Sequence, residues 1–569
     1  MWRKVNCIIY PALQVQIVPA IGYLLTVIVS LFYFQINDPR FPIEAPWIIL
    51  VGFIISLLCW IVGSIGMRGK LINTKLNLLQ GAWVVLLTWV LACSISSLVF
   101  MLSGFPVPDN VEAFSLLRKF IDGFYESMSG FTTTGTSILP SVEAFPRSIL
   151  FWRSLTHWIG GMGIAYMAIS IFKHFKTRRA EIINNESESP HIIEFKDEKS
   201  AIESGIEFLK AYSILTVVCF VCLLFSGHFF REVPYERFYD NVFDATTITF
   251  GTLGTGGFSV YNASIGLPVE ENGKMVIGGL RNPTSEWIIG FFMFFASMNF
   301  ALWYTLLFQG NLKTMLKNKE LRAFSLFVLI TTISITAILT VYRFHPTILE
   351  SLRYAFFNVT TIISTTGFGT DDFDGWPLAA QGVLFSCYLV GACVGSTGGG
   401  IKFTRFLVLF KYMGIQLKTL IYGGNKTTFQ IDGVNYNDKS AGIIITNIVI
   451  YFMIFLFGAI LIMLTGSKAI FTDGSIRELD FVSAFTASIA NLGNIGPAIV
   501  NGSVGHGPTG NYSAYTDIAK IIMATLMFVG RIGVLTCFML FLTKEDYSKL
   551  HETRSHVDFD GDAPTVFGR

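Results

Sequence analysis

The sequence predicts an all-α polytopic membrane protein: four diverged helix–pore loop–helix repeats around one pore, plus two extra N-terminal transmembrane helices. Three observations predict it. Of 569 residues, 52% are hydrophobic and only 14% charged, against roughly 25% charge in a soluble domain. About ten apolar runs approach the roughly 20 residues that a helix needs to cross a bilayer core of about 30 Å. Between the later runs, a short Gly-containing tract recurs four times.

The same composition excludes other classes. A net charge of +2 leaves no concentrated basic face, so a nucleic-acid partner is not expected. Most of the eight Cys lie inside apolar runs, including Cys219 and Cys222 of a CxxC, where Cys packs as a small hydrophobe. The first run, Ile17–Phe34, is long enough to span and lacks a small-residue cleavage site after it, unlike a signal peptide.

The crossings fall, in order, near Ile17–Phe34, Trp47–Met67, Ala82–Leu102, Ile149–Phe172, Ala211–Phe225 with its flanks, Trp287–Phe308, Ala323–Tyr342, Leu378–Phe410 (interrupted), Ala441–Leu464 and Ile521–Leu542. Lys and Arg collect in alternate connections: Arg3/Lys4, Arg68/Lys70/Lys75, Lys173/Lys176/Arg178/Arg179, Lys313/Lys317/Lys319/Arg322 and Lys411/Lys418/Lys426. The positive-inside rule assigns these, and both termini, to the cytoplasm. The last four connections on the other side hold the tracts Ser129–Ser137, Phe250–Ser259, Ile362–Thr370 and Asn491–Ala498. A run too short to span precedes each: Leu117–Met128, Phe238–Thr249, Leu352–Ile363 and Phe481–Ala490. Gly135, Gly257, Gly367 and Gly496 then mark equivalent points at unequal intervals of 110 to 129 residues, as in diverged repeats rather than a solenoid. The expected divisions are an N-terminal helix pair (1–75), pore repeat 1 (76–180), a cytoplasmic connection with repeat 2 (181–312), repeat 3 (313–425), repeat 4 (426–545) and a tail (546–569).

Non-helical backbone at membrane depth persists only where protein buries it or it lines a water-filled path. Four such loops can surround one axis, where a ring of carbonyls replaces a cation's hydration shell. Glycine suits this role because positive φ turns a carbonyl inward without a Cβ clash. The short helices would aim their partially negative C-terminal ends at the same axis. The third tract, Thr365-Thr366-Gly367-Phe368-Gly369, differs from the potassium-channel filter Thr-Val-Gly-Tyr-Gly at two positions. The expected ion-binding residues are Thr133, Thr134, Gly135 and Thr136; Thr255, Gly256, Gly257 and Phe258; Thr365, Thr366, Gly367 and Phe368; and Asn494, Ile495, Gly496 and Pro497.

On these tracts, and on Phe151-Trp-Arg-Ser-Leu-Thr-His-Trp-Ile-Gly-Gly-Met-Gly163, Thr255-Gly-Gly-Phe-Ser259, Gly395-Ser-Thr-Gly-Gly-Gly-Ile-Lys402 and Asn494-Ile-Gly-Pro497, the sequence resembles the Trk/Ktr/HKT superfamily of potassium transporters, and within it the TrkH family. The resemblance covers nearly the whole chain. It implies a bacterial inner-membrane homodimer with a pore in each protomer, K⁺ as substrate without an organic cofactor, and a TrkA-type nucleotide-binding regulatory ring on the cytoplasmic side. In some plant relatives a Ser replaces the first filter glycine and Na⁺ is favoured. All four positions here are Gly, so K⁺ is expected. The residues that follow them, Thr136, Phe258, Phe368 and Pro497, differ from one another, which suits moderate rather than stringent preference over Na⁺.

Two features interrupt crossings below the expected filter. Gly391, Gly395, Gly398, Gly399 and Gly400 crowd ten residues together with Ser396 and Thr397. At about 1 kcal/mol per glycine relative to Ala they cannot sustain a helix, so an intramembrane loop is expected. A phosphate-loop reading fails because Ile401 separates Gly400 from Lys402. Arg531 lies about ten residues into the last crossing, where a charge is costly and normally faces protein or water. The resemblance makes this loop and Arg531 a gate; the residues alone also allow structural pairing of Arg531.

Arg153 and His157 read as anchors rather than ion ligands. Asp122, Glu126 and Asp244 suit helix starts or could concentrate cations at a mouth. Residues 184–204 form a polar connection and plausible partner contact, and the tail after Lys544 is expected to be mobile. The alternatives are the channel-like subunit of an ATP-driven potassium pump, of the same fold, and, of other classes, a secondary cation symporter and a membrane enzyme. The eight scattered His offer no catalytic or metal cluster, so no enzyme is expected.

Overall fold

The structure, a computed structural model, describes residues 2–36, 42–67, 78–104, 115–172, 198–230, 235, 237–265, 269–271, 274–276, 279–280, 282–423, 428–470, 476–478, 480–499 and 510–539. Helices dominate it. They are α1 (Trp2–Gln14), α2 (Ile17–Ile36), α3 (Pro46–Met67), α4 (Leu78–Leu102), α5 (Ser115–Phe131), α6 (Arg147–Phe172), α7 (Glu198–Phe229), α8 (Phe238–Gly254), α9 (Pro283–Ala296), α10 (Phe300–Gln309), α11 (Leu312–Lys317), α12 (Lys319–Val341), α13 (Ile348–Ile363), α14 (Leu378–Leu389), α15 (Phe403–Tyr422), α16 (Asp438–Leu464), α17 (Phe481–Leu492), α18 (Asp517–Ile532) and α19 (Val534–Met539). Three two-stranded antiparallel hairpins join them: Val269–Glu271 with Lys274–Val276, Phe429–Ile431 with Val434–Tyr436, and Lys468–Ile470 with Ile476–Glu478.

Among the described residues, six helical segments are long and apolar enough to cross a membrane, and a seventh exists if the bent pair α9/α10 counts as one. Their outer faces carry exposed Leu24, Ile28, Val217, Leu329, Phe457 and Ile460. Such a belt is stable only against lipid, because in water so large an apolar surface would be covered.

The sequence pattern recurs four times in space: α4–α5–loop–α6, α7–α8–loop–α9, α12–α13–loop–α14 and α16–α17–loop–α18. Each short helix packs inside its repeat. The N-terminal helices lie against repeat 1, where Tyr23 of α2 stacks on Trp152 of α6 at 3.8 Å between ring centroids. Small residues permit that approach: a methyl on Gly22 would fall 3.0 Å from Trp152, and one on Gly52 of α3 would fall 2.7 Å from Val99.

Three expectations change. The helix α1 precedes the two expected N-terminal crossings. The run Trp287–Phe308 is not one straight helix: α9 and α10 meet at 101°, with Asn299 capping α10 by accepting from the Ala301 amide at 2.8 Å. The backbone groups freed by this break are satisfied by the intramembrane loop, as Cys393 N donates to Ser297 O (3.0 Å) and Phe300 N donates to Gly395 O (2.9 Å). Two irregular segments thus complete each other away from lipid. The last crossing, expected over Ile521–Leu542, breaks at Gly533, whose φ is +95°, so Arg531 stands in the final turn of α18 instead of mid-helix. Of the connection 184–204, residues 184–197 lie outside the described residues, while 198–204 begin α7; the tail from 540 also lies outside them.

Candidate functional site

The four short helices end in the same way. Thr134 N donates to Ser129 O, Gly256 N to Gly251 O, Thr366 N to Thr361 O and Ile495 N to Ala490 O, at 2.8–2.9 Å. This 6→1 closure needs a left-handed residue just past the helix end. Thr133, Thr255, Thr365 and Asn494 supply it, with φ between +52° and +60°. Such a conformation costs a non-glycine residue about 1–2 kcal/mol, and the same strain stored four times marks a functional constraint.

Two residues further on, Gly135, Gly257, Gly367 and Gly496 take φ of +80°, +73°, +87° and +104°. Their surroundings close a circle. A Cβ on Gly135 would strike Gly256 O, one on Gly257 Thr366 O, one on Gly367 Ile495 O, and one on Gly496 Thr134 O. Each glycine therefore faces a carbonyl of the next loop, and the fourth faces the first. The sixteen expected residues all belong to these loops. Above them lies a cavity of about 90 Å³ lined by all four glycines, Phe258, Pro497 and Tyr512 among others.

The loops are fastened from behind. Asn494 Nδ2 donates to Thr134 Oγ1 and to Met527 O, both at 2.9 Å. Tyr388 and Tyr512 hydroxyls donate to Pro497 O (2.9 Å) and Gly496 O (3.0 Å). Arg153 pairs with Glu126 at 2.7 Å, both buried. Lys520 pairs with Asp122 at 2.6 Å, Arg147 with Asp240 at 2.5 Å, and Arg353 with Glu286 at 2.9 Å. Asp244 accepts from the hydroxyls of Tyr235 and Tyr261. The carboxylates Asp122, Glu126 and Asp244 are therefore engaged inside the protein rather than lining a mouth, because a buried charge must be paired.

Residues 391–400 form the expected break, between α14 and α15, directly under the third and fourth loops. Gly399 N donates to Thr365 Oγ1 at 2.7 Å, and a Cβ on Gly399 would lie 2.8 Å from Gly493 O. Gly395 and Gly400 have φ of +70° and +73°. Glu320 accepts from Val394 N at 2.9 Å, and Lys402 Nζ donates to Gly398 O at 2.5 Å. Arg531, 4% exposed, reaches across: Nη1 donates to Thr397 O and Nη2 to Gly160 O, both at 2.7 Å. One guanidinium thus joins the loop of repeat 3 to the inner helix of repeat 1.

Lys520 and Glu320 were not anticipated. A lone Lys in the apolar run Ile518–Met523 and a Glu opening α12 are detectable signals, but their partners lie 398 and 74 residues away. Among the described residues no group of three or more His, Cys, Asp or Glu could hold a metal ion.

A family model described as a cation transport protein, TrkH, matches residues 112–551. The Trk system potassium uptake protein TrkH of Salmonella typhimurium is 30% identical over 81% of this chain and 85% of its own length. The protein TrkG of the same system in Escherichia coli is 26% identical over 90% of this chain and 93% of its own. The crystal structure of the potassium transporter TrkH from Vibrio parahaemolyticus superposes with a TM-score of 0.74 at 24% identity, covering 96% of this chain and all of that one.

Proposed function

This chain belongs to the TrkH family of cation transport proteins and is a Trk-type potassium-uptake subunit of the membrane, not an enzyme, and we propose that K⁺ passes through the ring of four loops. The observation that carries this reading is the closed order of glycines and carbonyls: four left-handed glycines, each against a carbonyl of the next loop. Carbonyls held inward by that geometry replace water around a dehydrated cation, and the ends of α5, α8, α13 and α17 add partial negative charge. Residues 133–136, 255–258, 365–368 and 494–497 are the ion ligands. Permeation is passive, with K⁺ preferred and some Na⁺ admitted, since the four loops differ in side chain.

The loop at Gly391–Gly400 and Arg531 form the gate. Support comes from the position of the loop against Thr365 and Gly493 and from the two carbonyls that Arg531 holds. A fixed positive charge at that point opposes a cation, and the loop fills the route. The relatives are named as parts of a Trk system, which supports a cytoplasmic TrkA-type nucleotide-binding ring as the controlling partner. A homodimer in the bacterial inner membrane, with both termini cytoplasmic and the divisions given above, completes the reading. Growth of a K⁺-uptake-deficient bacterium at low K⁺, with this chain and with or without its partner, tests it; failure in every pairing, with the protein present in the membrane, refutes it.

A further inference from the structure

The four seams of the ring are not built alike. Between loops 2 and 3, Ile265 N donates to Gly369 O at 3.1 Å and Gly369 N to Ser264 Oγ at 3.1 Å. Between loops 3 and 4, the Tyr388 hydroxyl donates to Pro497 O. Between loops 4 and 1, Asn494 reaches Thr134 and Tyr512 N donates to Ser137 O at 2.7 Å. At the loops themselves these joints use backbone, hydroxyl and amide groups, while the buried pairs Arg353–Glu286 and Lys520–Asp122 join the helices behind them. The seam between loops 1 and 2 carries a buried charge and an imidazole from a single helix face.

Arg153 and His157 are four residues apart on α6, so both point the same way. The Arg153 guanidinium is 1% exposed and serves both loops. Its Nε donates to Glu126 Oε1 at 2.8 Å, Nη2 to Ser137 Oγ of loop 1 at 3.1 Å, and Nη1 to Ser259 O of loop 2 at 3.0 Å. Its Cζ sits 4.1 Å from the Phe258 ring centroid. Glu126 in turn accepts from Ser137 Oγ and Ile138 N, both at 3.0 Å. The His157 ring also packs on Phe258, 4.2 Å between ring centroids. The Phe258 amide donates to His157 Nε2 at 3.1 Å, while His157 Nδ1 is 2.8 Å from Gly130 O. An amide can only donate and a carbonyl can only accept, so the ring is neutral, with its proton on Nδ1.

Phe258 follows Gly257 directly, and its main-chain amide is thereby held from repeat 1. We propose that Arg153 and His157 are positioning residues of the ion path: by clamping Phe258 they set the placement of the loop 2 carbonyls and hence the preference for K⁺ over Na⁺. The inference rests on the reading of the four loops as the cation route. Charge-assisted and fully buried bonds are the stiffest available joints, and a carbonyl ring discriminates between two cations only as far as its geometry and field hold.

The test uses the full chain in proteoliposomes, with K⁺ and Na⁺ flux and the permeability ratio read for wild type, His157→Ala, His157→Gln and Arg153→Lys. His157→Ala and Arg153→Lys are expected to lower the K⁺/Na⁺ ratio several-fold while K⁺ flux persists. His157→Gln, whose amide both donates and accepts, is expected to restore part of it. Lower yield or melting temperature with an unchanged ratio in both variants overturns the proposal, because that is what a merely structural role gives. Should His157→Ala fail to assemble, Phe258→Leu removes the clamped ring and leaves the ion pair; an unchanged ratio there overturns it equally. A wild type that passes no K⁺ refutes the underlying functional reading instead.

Discussion

Replacing Arg531 by alanine tests the gate most directly. The guanidinium makes two bonds of 2.7 Å to carbonyls of different repeats. A K⁺ ion passing about 5 Å from it, at an effective dielectric constant of about 20, meets about 3 kcal/mol of repulsion, equivalent to about a hundredfold in rate. The two charge-assisted bonds, each contributing about 1.5–3 kcal/mol, also hold Thr397 and with it the loop in the route. Removing the side chain should raise K⁺ flux of purified protein in liposomes, without any partner, by about ten- to a hundredfold, the lower figure allowing for water that screens part of the charge. Arg531→Lys keeps the charge but presents one compact ammonium in place of a planar fork, so it reaches only one of the two carbonyls, and an intermediate rise is expected. Unchanged flux in both variants, with melting temperature and oligomeric profile preserved, refutes the reasoning. A rise as large for Lys as for Ala refutes its electrostatic part.

Three further outcomes follow from the geometry. Gly367→Ala adds a Cβ aimed at Ile495 O at a φ of +87°; with about 1–2 kcal/mol of backbone strain it should cut K⁺ flux about tenfold, whereas Gly382→Ala, with open space around it, should leave flux unchanged. Lys520→Met strands a buried Asp122 carboxylate and should cost about 3–5 kcal/mol, read as a lower melting temperature in detergent that the added Asp122→Leu restores; no recovery in the double variant refutes the pairing account. Burial holds the Glu44 carboxyl above the usual carboxylate range, even though Ser30 and Ser148 donate to it. Its contribution to folding is full below the unfolded value of about 4.3 and is lost as pH rises through the raised folded value. The stability of wild type relative to Glu44→Gln should therefore improve as pH falls from 7 toward 5, and a flat or reversed difference contradicts it.

The legible parts of the fold are those that local composition controls. The short helices before Gly135, Gly257, Gly367 and Gly496 are readable because polar and apolar residues alternate at helical spacing and glycine ends the run. The break at Gly391–Gly400 is readable because five glycines cannot stay helical there. The bend between α9 and α10 has only a faint local signal, Ser297 and the capping Asn299 in a mostly apolar run; the loop from repeat 3, lying against Ser297 and Phe300, makes a broken helix cheaper than a straight one. The engagement of Asp122 and Glu126 is hidden for the same reason: Lys520 lies 398 residues from Asp122, and no periodicity reports that separation.

The sequence by itself determined that this chain lives in lipid, that a four-membered repeat of short helix and glycine tract organises it, and which loop and which arginine interrupt its crossings. Each of these depends on interactions within a few turns of chain, which composition and spacing encode. The tertiary structure alone decided that the glycines face the carbonyls of the next loop in a closed order, that Arg531 spans Thr397 and Gly160, and that Phe258 is held from another repeat by Arg153 and His157. Those are contacts between segments about 100 to 370 residues apart, and their partners are selected by packing and by the cost of leaving a buried polar group unpaired, which act only once the repeats have closed around their axis.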